Sequence, residues 1–130
     1  MLIHFEVPQS FGTITDRRPT RHSAGRFPVD VLETEHATIV YAELPGVQKE
    51  HVQITFEGDM LTISGKRPEK QIPEDARILL HEQRVRDVQR SLMIGHPVDH
   101  DAMSARLENG LLTVELPKAA VAKPRTIAIT

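Results

Sequence analysis

The chain has 130 residues, a length that suits one domain built around one hydrophobic core. Its 16 Lys and Arg residues and 18 Asp and Glu residues give a net charge of -2, so composition gives no reason to expect a nucleic-acid or anionic-membrane partner. The absence of cysteine excludes disulfides, thiolate metal sites and cysteine nucleophiles, and it fits a reducing compartment such as the cytoplasm.

The first 26 residues are predicted to form a poorly ordered arm. Apolar residues are scattered through this arm without a period of 2 or 3.6, and the basic, proline-interrupted stretch "DRRPTRHSAGR" follows them. The beginning of the chain is interrupted by His4, Glu6 and Pro8 and has no continuous apolar run. We therefore expect neither a secretory signal nor a membrane span.

Short β-branched stretches begin after Phe27. Val29–Leu32 and Ala37–Leu44 are predicted strands, because both are rich in residues that favour extended backbone. Pro45 and Gly46 then suit the two central positions of a type II turn.

The next segment, "HVQITFEGDMLTISGKR", predicts a hairpin around a Gly58-Asp59 loop. One register sorts its apolar residues to a single face, where Phe56 pairs with Leu61, Ile54 with Ile63 and Val52 with Gly65. Thr and Gln side chains then lie on the other face, as expected for a hairpin with one buried side.

A second hairpin is predicted in "MSARLENGLLTVELPK", where Asn109-Gly110 is a strong signal for a type I′ turn. Its register pairs Leu107 with Leu112, Ala105 with Val114 and Met103 with Leu116. Two hairpins with one buried face each indicate an all-β protein, an immunoglobulin-like antiparallel β-sandwich.

The stretch Ala76–Ile94 is ambiguous. Ile78, Val85, Val88 and Leu92 fit a helical stripe, and periodicity alone predicts a helix here. The alternative is a pair of strands near 78–82 and 87–94, with Val88, Leu92 and Ile94 facing inward. In that case Arg90 lies on the inward face and needs a carboxylate partner, for which Glu82 is a candidate.

Candidate chemistry is sparse. His96, Asp99, His100 and Asp101 are metal-ligand residue types, but their spacing matches no zinc half-site, so we interpret them as a polar turn. The sequence contains no nucleophile elbow, phosphate loop or dinucleotide fingerprint. We therefore predict no metal, no cofactor and no enzymatic activity.

The segment Ala105–Lys118, "ARLENGLLTVELPK", resembles the A-x-x-x-N-G-[VL]-L-T-V-x-x-P-K signature of the α-crystallin domain of small heat shock proteins. "LPGV" at Leu44–Val47, "LTISGKR" at Leu61–Arg67 and the terminal Ile127-Ala128-Ile129 are also similar to that family's motifs. The resemblance covers residues 27–130. It implies an arm at 1–26, an α-crystallin domain at 27–118 and a C-terminal extension, here called the tail, at 119–130.

The resemblance also implies how copies of the chain assemble. In the bacterial and plant branch of the family, a short strand in the long loop is exchanged with a partner subunit, and "ILLHEQR" at 78–84 is in its position. This favours strands over a helix, and it implies a homodimer interface that includes Ile78, Leu80, Glu82, Arg84 and Arg90. Val88 and Leu92 replace the aromatic residues that usually flank that arginine.

The tail is predicted to dock through Ile127 and Ile129, which match the family's I-x-I anchor. The expected receiver is a groove between the strands of the two hairpins, formed by Val52, Ile54, Phe56, Met103, Ala105 and Leu107. Tails that dock on neighbouring subunits would build oligomers larger than the dimer.

The function that the resemblance implies is that of an ATP-independent holdase, a chaperone that binds partly unfolded client proteins. The first candidates for client contacts are apolar residues of the arm: Leu2, Ile3, Phe5, Phe11 and Ile14. The alternative hypothesis is an adaptor β-sandwich that docks on a larger chaperone. Such modules usually lack an I-x-I tail and stay monomeric.

Overall fold

The computed structural model describes residues 14–17, 27–83, 87–120 and 127–130. These residues form two short 3-10 helices, Lys49–His51 and His100–Ala102, and eight strands: β1 Ile14–Arg17, β2 Val29–Glu33, β3 Ala37–Glu43, β4 Val52–Glu57, β5 Met60–Lys66, β6 Asp87–Ile94, β7 Ser104–Glu108 and β8 Leu111–Pro117. Within the described residues, neither helix is long and apolar enough to cross a membrane.

The strands form two antiparallel sheets, with the orders β1-β6-β5-β4 and β2-β3-β8-β7. Burial alternates along the central strands, so every second side chain points into the space between the sheets. The aliphatic core between the sheets includes the most deeply buried side chains: Val40, Leu44, Leu61, Ile63, Ile94, Leu112 and Leu116. The predicted all-β sandwich is confirmed.

Both hairpins have the predicted register. Phe56 pairs with Leu61 across β4 and β5, and Leu107 pairs with Leu112 across β7 and β8. Met103 is the exception to the second register, because β7 begins only at Ser104. Asn109 and Gly110 both have positive φ, 50° and 77°, as a type I′ turn requires.

The Pro45-Gly46 turn is also confirmed. Gly46 has φ 77°, and the amide of Val47 donates to the carbonyl of Leu44 at 3.2 Å. A positive φ at the third residue, with proline at the second, is the type II pattern. This turn reverses the chain after β3 and leads it toward the other sheet.

The helix that periodicity alone predicted over Ala76–Ile94 is wrong, and the alternative strand at 87–94 is confirmed. Residues 87–94 form β6, and the alternation places Val88, Leu92 and Ile94 in the core. Seven residues of β6 pair with β5, whose backbone would otherwise lack a partner on that side. Residues 78–83 have no regular structure in the single chain, so the strand suggested at 78–82 is not seen there.

The arm contains one element that the sequence did not predict. Ile14–Arg17 forms β1 and pairs with β6 from Ile94 to Ser91. Four residues are too few for a visible alternation in the sequence. The element exists because β6 offers an unpaired backbone edge with which an extended segment can form hydrogen bonds.

Candidate functional site

An open groove lies where the edge strands β4 and β7 of the two sheets meet. It encloses a cavity of about 180 Å³, and it is lined by Ile54, Phe56, Leu61, Met103, Ser104, Ala105, Val114 and Leu116. Among the described strands, β4 and β7 are the last of their sheets, so the inward side chains of these strands are covered on one side only. Ile54, Phe56 and Met103 are accordingly only half-buried.

Four of the six residues predicted for this groove line the cavity: Ile54, Phe56, Met103 and Ala105. The other two, Val52 and Leu107, are half-buried against the core but do not line the cavity. The groove is therefore centred on one end of the two strands.

The residues that form the floor of the groove were not predicted from the sequence. Leu61, Val114 and Leu116 line the cavity from below, and all three are core residues with at most 2% of their surface exposed. The registers predicted from the sequence contained the signal for all three, because they place Leu61 opposite Phe56, Val114 opposite Ala105 and Leu116 opposite Met103.

A capped polar turn borders the groove. The ring of His100 packs against Phe56 with centroids 5.1 Å apart. Asp99 caps the short helix, since its carboxylate accepts a hydrogen bond from the amide of Asp101 at 3.2 Å. Among the described residues, no group of three or more His, Cys, Asp or Glu residues could hold a metal ion.

His96 connects this turn to β3. Its Nε2 lies 2.6 Å from the hydroxyl oxygen of Thr38, which is 1% exposed, and its Nδ1 lies 2.9 Å from the carbonyl oxygen of Pro97. A carbonyl can only accept, so Nδ1 donates to Pro97, and Nε2 shares a second hydrogen bond with the hydroxyl of Thr38. His96 therefore satisfies a buried hydroxyl and has a structural role here.

The two tail isoleucines are almost fully exposed. Ile127 exposes 86% of its surface and Ile129 exposes 99%. Neither packs into the groove of its own chain. Both side chains are therefore free to dock elsewhere, and the predicted acceptor is the groove of a second copy of the chain.

A second apolar surface lies on the long loop between β5 and β6. Ile78, Leu79 and Leu80 expose 53%, 82% and 78% of their surfaces. Ile78 and Leu80 line an open cavity of about 590 Å³ together with Glu82 and Ile72. Ile72 and Leu79 were not among the residues predicted for the dimer interface, although Leu79 is part of the apolar run "ILL". Arg84, which was predicted for that interface, lies outside the described residues.

Arg90 connects the two sheets on the side of the sandwich away from β4 and β7. It lies between the buried residues Val88 and Leu92 on the inward side of β6, as the strand alternative predicted. Its Nη1 donates a 2.8 Å hydrogen bond to the carbonyl oxygen of Phe27, just before β2. Glu82, the suggested partner, is exposed on the loop instead.

The edge strand β2 is also tied to the end of the domain. Nζ of Lys118 lies 3.0 Å from the carboxylate of Glu33, and about one fifth of each side chain is exposed. Partial burial makes such a pair stronger than one at the surface. The contact holds the last residue of β2 against the chain that leaves β8.

Most of the predicted client-contact residues lie outside the described residues. Leu2, Ile3, Phe5 and Phe11 belong to this group. Ile14 is the described member, and it exposes 39% of its surface in β1.

Comparison with known proteins supports the resemblance seen in the motifs. The model of the Hsp20/alpha crystallin family matches residues 30–130. Spore protein SP21 of Stigmatella aurantiaca is 35% identical over 100 residues, which cover 77% of this chain and 59% of that protein. Small heat shock protein C2 of Rickettsia felis is 31% identical over 100 residues, which cover 77% of this chain and 65% of that protein. The matched part thus spans less than two thirds of either relative.

A solved structure shares the fold. Heat shock protein 16.0 from Schizosaccharomyces pombe superimposes with a TM-score of 0.67 and 32% identity, covering 86% of this chain and 80% of that chain. The β-sandwich, the hairpin motifs and the family match over residues 30–130 all point to the same family. The chain belongs to the Hsp20/alpha crystallin family of small heat shock proteins.

Proposed function

We propose that the protein is an ATP-independent holdase, which binds partly unfolded clients and keeps them from aggregating. The observation that carries the proposal is the number of apolar side chains left exposed beside a well-packed core. Ile127 and Ile129 on the tail and Leu79 on the loop each expose more than four fifths of their surfaces. Exposed apolar surface of this kind marks sites of protein–protein contact.

The tail is proposed to dock in the β4–β7 groove of a second copy. The groove is open and apolar, and the two isoleucines are exposed in their own chain. From Pro117 to Ile127 an extended chain spans roughly 30–35 Å, which is enough to reach a neighbouring subunit. Several tails acting together gain from their high effective concentration, so contacts that are weak alone can hold an oligomer.

The homodimer is proposed to form at the other edge of the sandwich. β2 is the end strand of its sheet in the described part of the chain, so one side of its backbone is open to an added strand. The loop segment that carries Ile78 and Leu80 is apolar and exposed, as a segment that pairs with another subunit would be. Family relationship supports the same arrangement. We place this assembly in the cytoplasm, which fits the lack of cysteine.

The test of the holdase activity uses a heat-labile enzyme and the full chain without ATP. We expect light scattering from the heated enzyme to fall sharply at an equimolar amount of the protein. A scattering curve that is unchanged at that ratio would contradict the proposal. Bovine serum albumin at the same mass concentration is the control for unspecific protection.

A further inference from the structure

The outward side of the β2-β3-β8-β7 sheet carries an unusual row of apolar side chains. Leu32 is opposite Ile39 in the β2–β3 ladder, and Tyr41 follows Ile39 on the same face. Leu32 exposes 48% and Leu111 exposes 42% of their surfaces, while Ile39 and Tyr41 are half-buried. An apolar surface on the outside of a sheet is a candidate for a protein contact.

Carboxylates surround this apolar row. Asp30, Glu43, Glu108 and Glu115 are exposed on the same side of the sheet. Within the part of the chain that the structure describes, Glu108 has a salt bridge to Arg106 at 3.7 Å, and the other three carboxylates have none. The apolar row and its four carboxylates together are called the acidic face below.

The outer side of the other sheet is different. Across β4, β5 and β6 its side chains are Thr, Ser, Gln and Met with two carboxylates, Glu57 and Asp87, and Asp87 lies opposite Lys66. Negative charge next to exposed apolar surface is therefore a property of one side of the sandwich. The net charge of the whole chain, -2, does not reveal it.

We propose that the acidic face binds client segments in which Lys or Arg alternates with apolar residues. The inference rests on the proposed holdase function and specifies a class of client. Cationic heads can reach the carboxylates at the rim while their aliphatic stems and the apolar neighbours cover Leu32 and Leu111. A guanidinium can also stack on Tyr41. Acidic segments are repelled by the same carboxylates.

Two fluorescently labelled peptides test the inference with the full chain. One alternates Lys with Val, and the other has Glu in place of Lys. We expect the Lys peptide to bind at least about tenfold more tightly at low salt. We also expect most of this difference to disappear at about 1 M NaCl, where charges farther apart than roughly 3 Å are screened. Equal affinities for the two peptides would overturn the inference.

Matched variants locate the effect. Glu43→Gln combined with Glu115→Gln should weaken binding of the Lys peptide roughly threefold to tenfold, because two rim charges are lost. Glu57→Gln on the other sheet should leave the affinity unchanged. If Glu57→Gln weakens binding as much as the double variant does, the acidic face is not the site.

Aggregation of one basic and one acidic client separates this inference from the proposed function. We expect the double variant to lose protection of the basic client and to keep protection of the acidic one. If the original chain protects neither client, the holdase proposal fails. If the original chain and the double variant protect both clients equally, the holdase proposal stands and the acidic face is refuted.

Discussion

Replacing both tail isoleucines, Ile127→Gly with Ile129→Gly, should reduce the assembly to dimers. Their exposed fractions of 86% and 99% mean that docking would remove nearly the whole of each side chain from water. Burial of one such side chain contributes about 1.5–3 kcal/mol, so each tail gains about 3–6 kcal/mol. Fixing the backbone costs about 1–2 kcal/mol per residue, and three ordered residues offset most of that gain.

A single tail is therefore close to balance, and oligomers depend on several tails at once. Without the two side chains only the ordering cost is left, and tail contacts should be lost altogether. Native mass spectrometry at fixed protein concentration measures the result. Ala128→Gly is the matched control, because it loosens the same backbone and keeps both isoleucines; its mass distribution should be that of the original chain.

A change on the receiving side makes the test specific. Ala105→Leu places a larger side chain in the 180 Å³ cavity while the tail stays intact. We expect the same shift to dimers. If the double glycine variant keeps its original mass, tail docking does not build the assembly. If that variant shrinks but Ala105→Leu does not, the tail binds somewhere other than the groove.

The remaining predictions concern stability and can be measured by urea unfolding. Arg90→Ala removes the charged 2.8 Å hydrogen bond to the carbonyl of Phe27 and should lower the free energy of unfolding by about 1.5–3 kcal/mol; no loss would mean that this contact is not maintained in solution. Leu116→Ala, at a fully buried position, should cost about 2–5 kcal/mol, whereas Leu111→Ala at a 42% exposed position should cost far less. Gly110→Ala forces φ 77° on a residue with a Cβ and should cost about 1 kcal/mol or more; a neutral result would contradict the type I′ assignment.

Apart from the pairing of Met103, the hairpins could be predicted to the residue because their signals are local. A turn type fixes the register, and a register one residue away would turn Ile54 and Ile63 to the solvent side. The same local pairing predicted most of the rim of the groove. Its floor was missed, although the predicted registers place Leu61, Val114 and Leu116 opposite residues of the rim, because neither hairpin shows how the two sheets pack together at this edge.

The stretch that became β6 could not be predicted locally. Its apolar residues Val88 and Leu92 are four apart, which fits one face of a helix as well as one face of a strand. The strand forms because β5 offers seven residues of unpaired backbone, a demand that arises far away in the sequence. β1 forms only by pairing with β6, and its four residues show even less of a strand pattern in the sequence. Non-local pairing therefore decided both elements that periodicity alone did not predict.

The order of the strands keeps the proposed contacts apart. β4 and β7 form one edge of the sandwich and line the groove. β2 and β6 lie toward the opposite edge, where Arg90 connects them through the carbonyl of Phe27. A tail bound at the first edge and a partner subunit bound at the second do not compete for backbone or side chains. Loss of the tail contact should thus leave dimers rather than monomers.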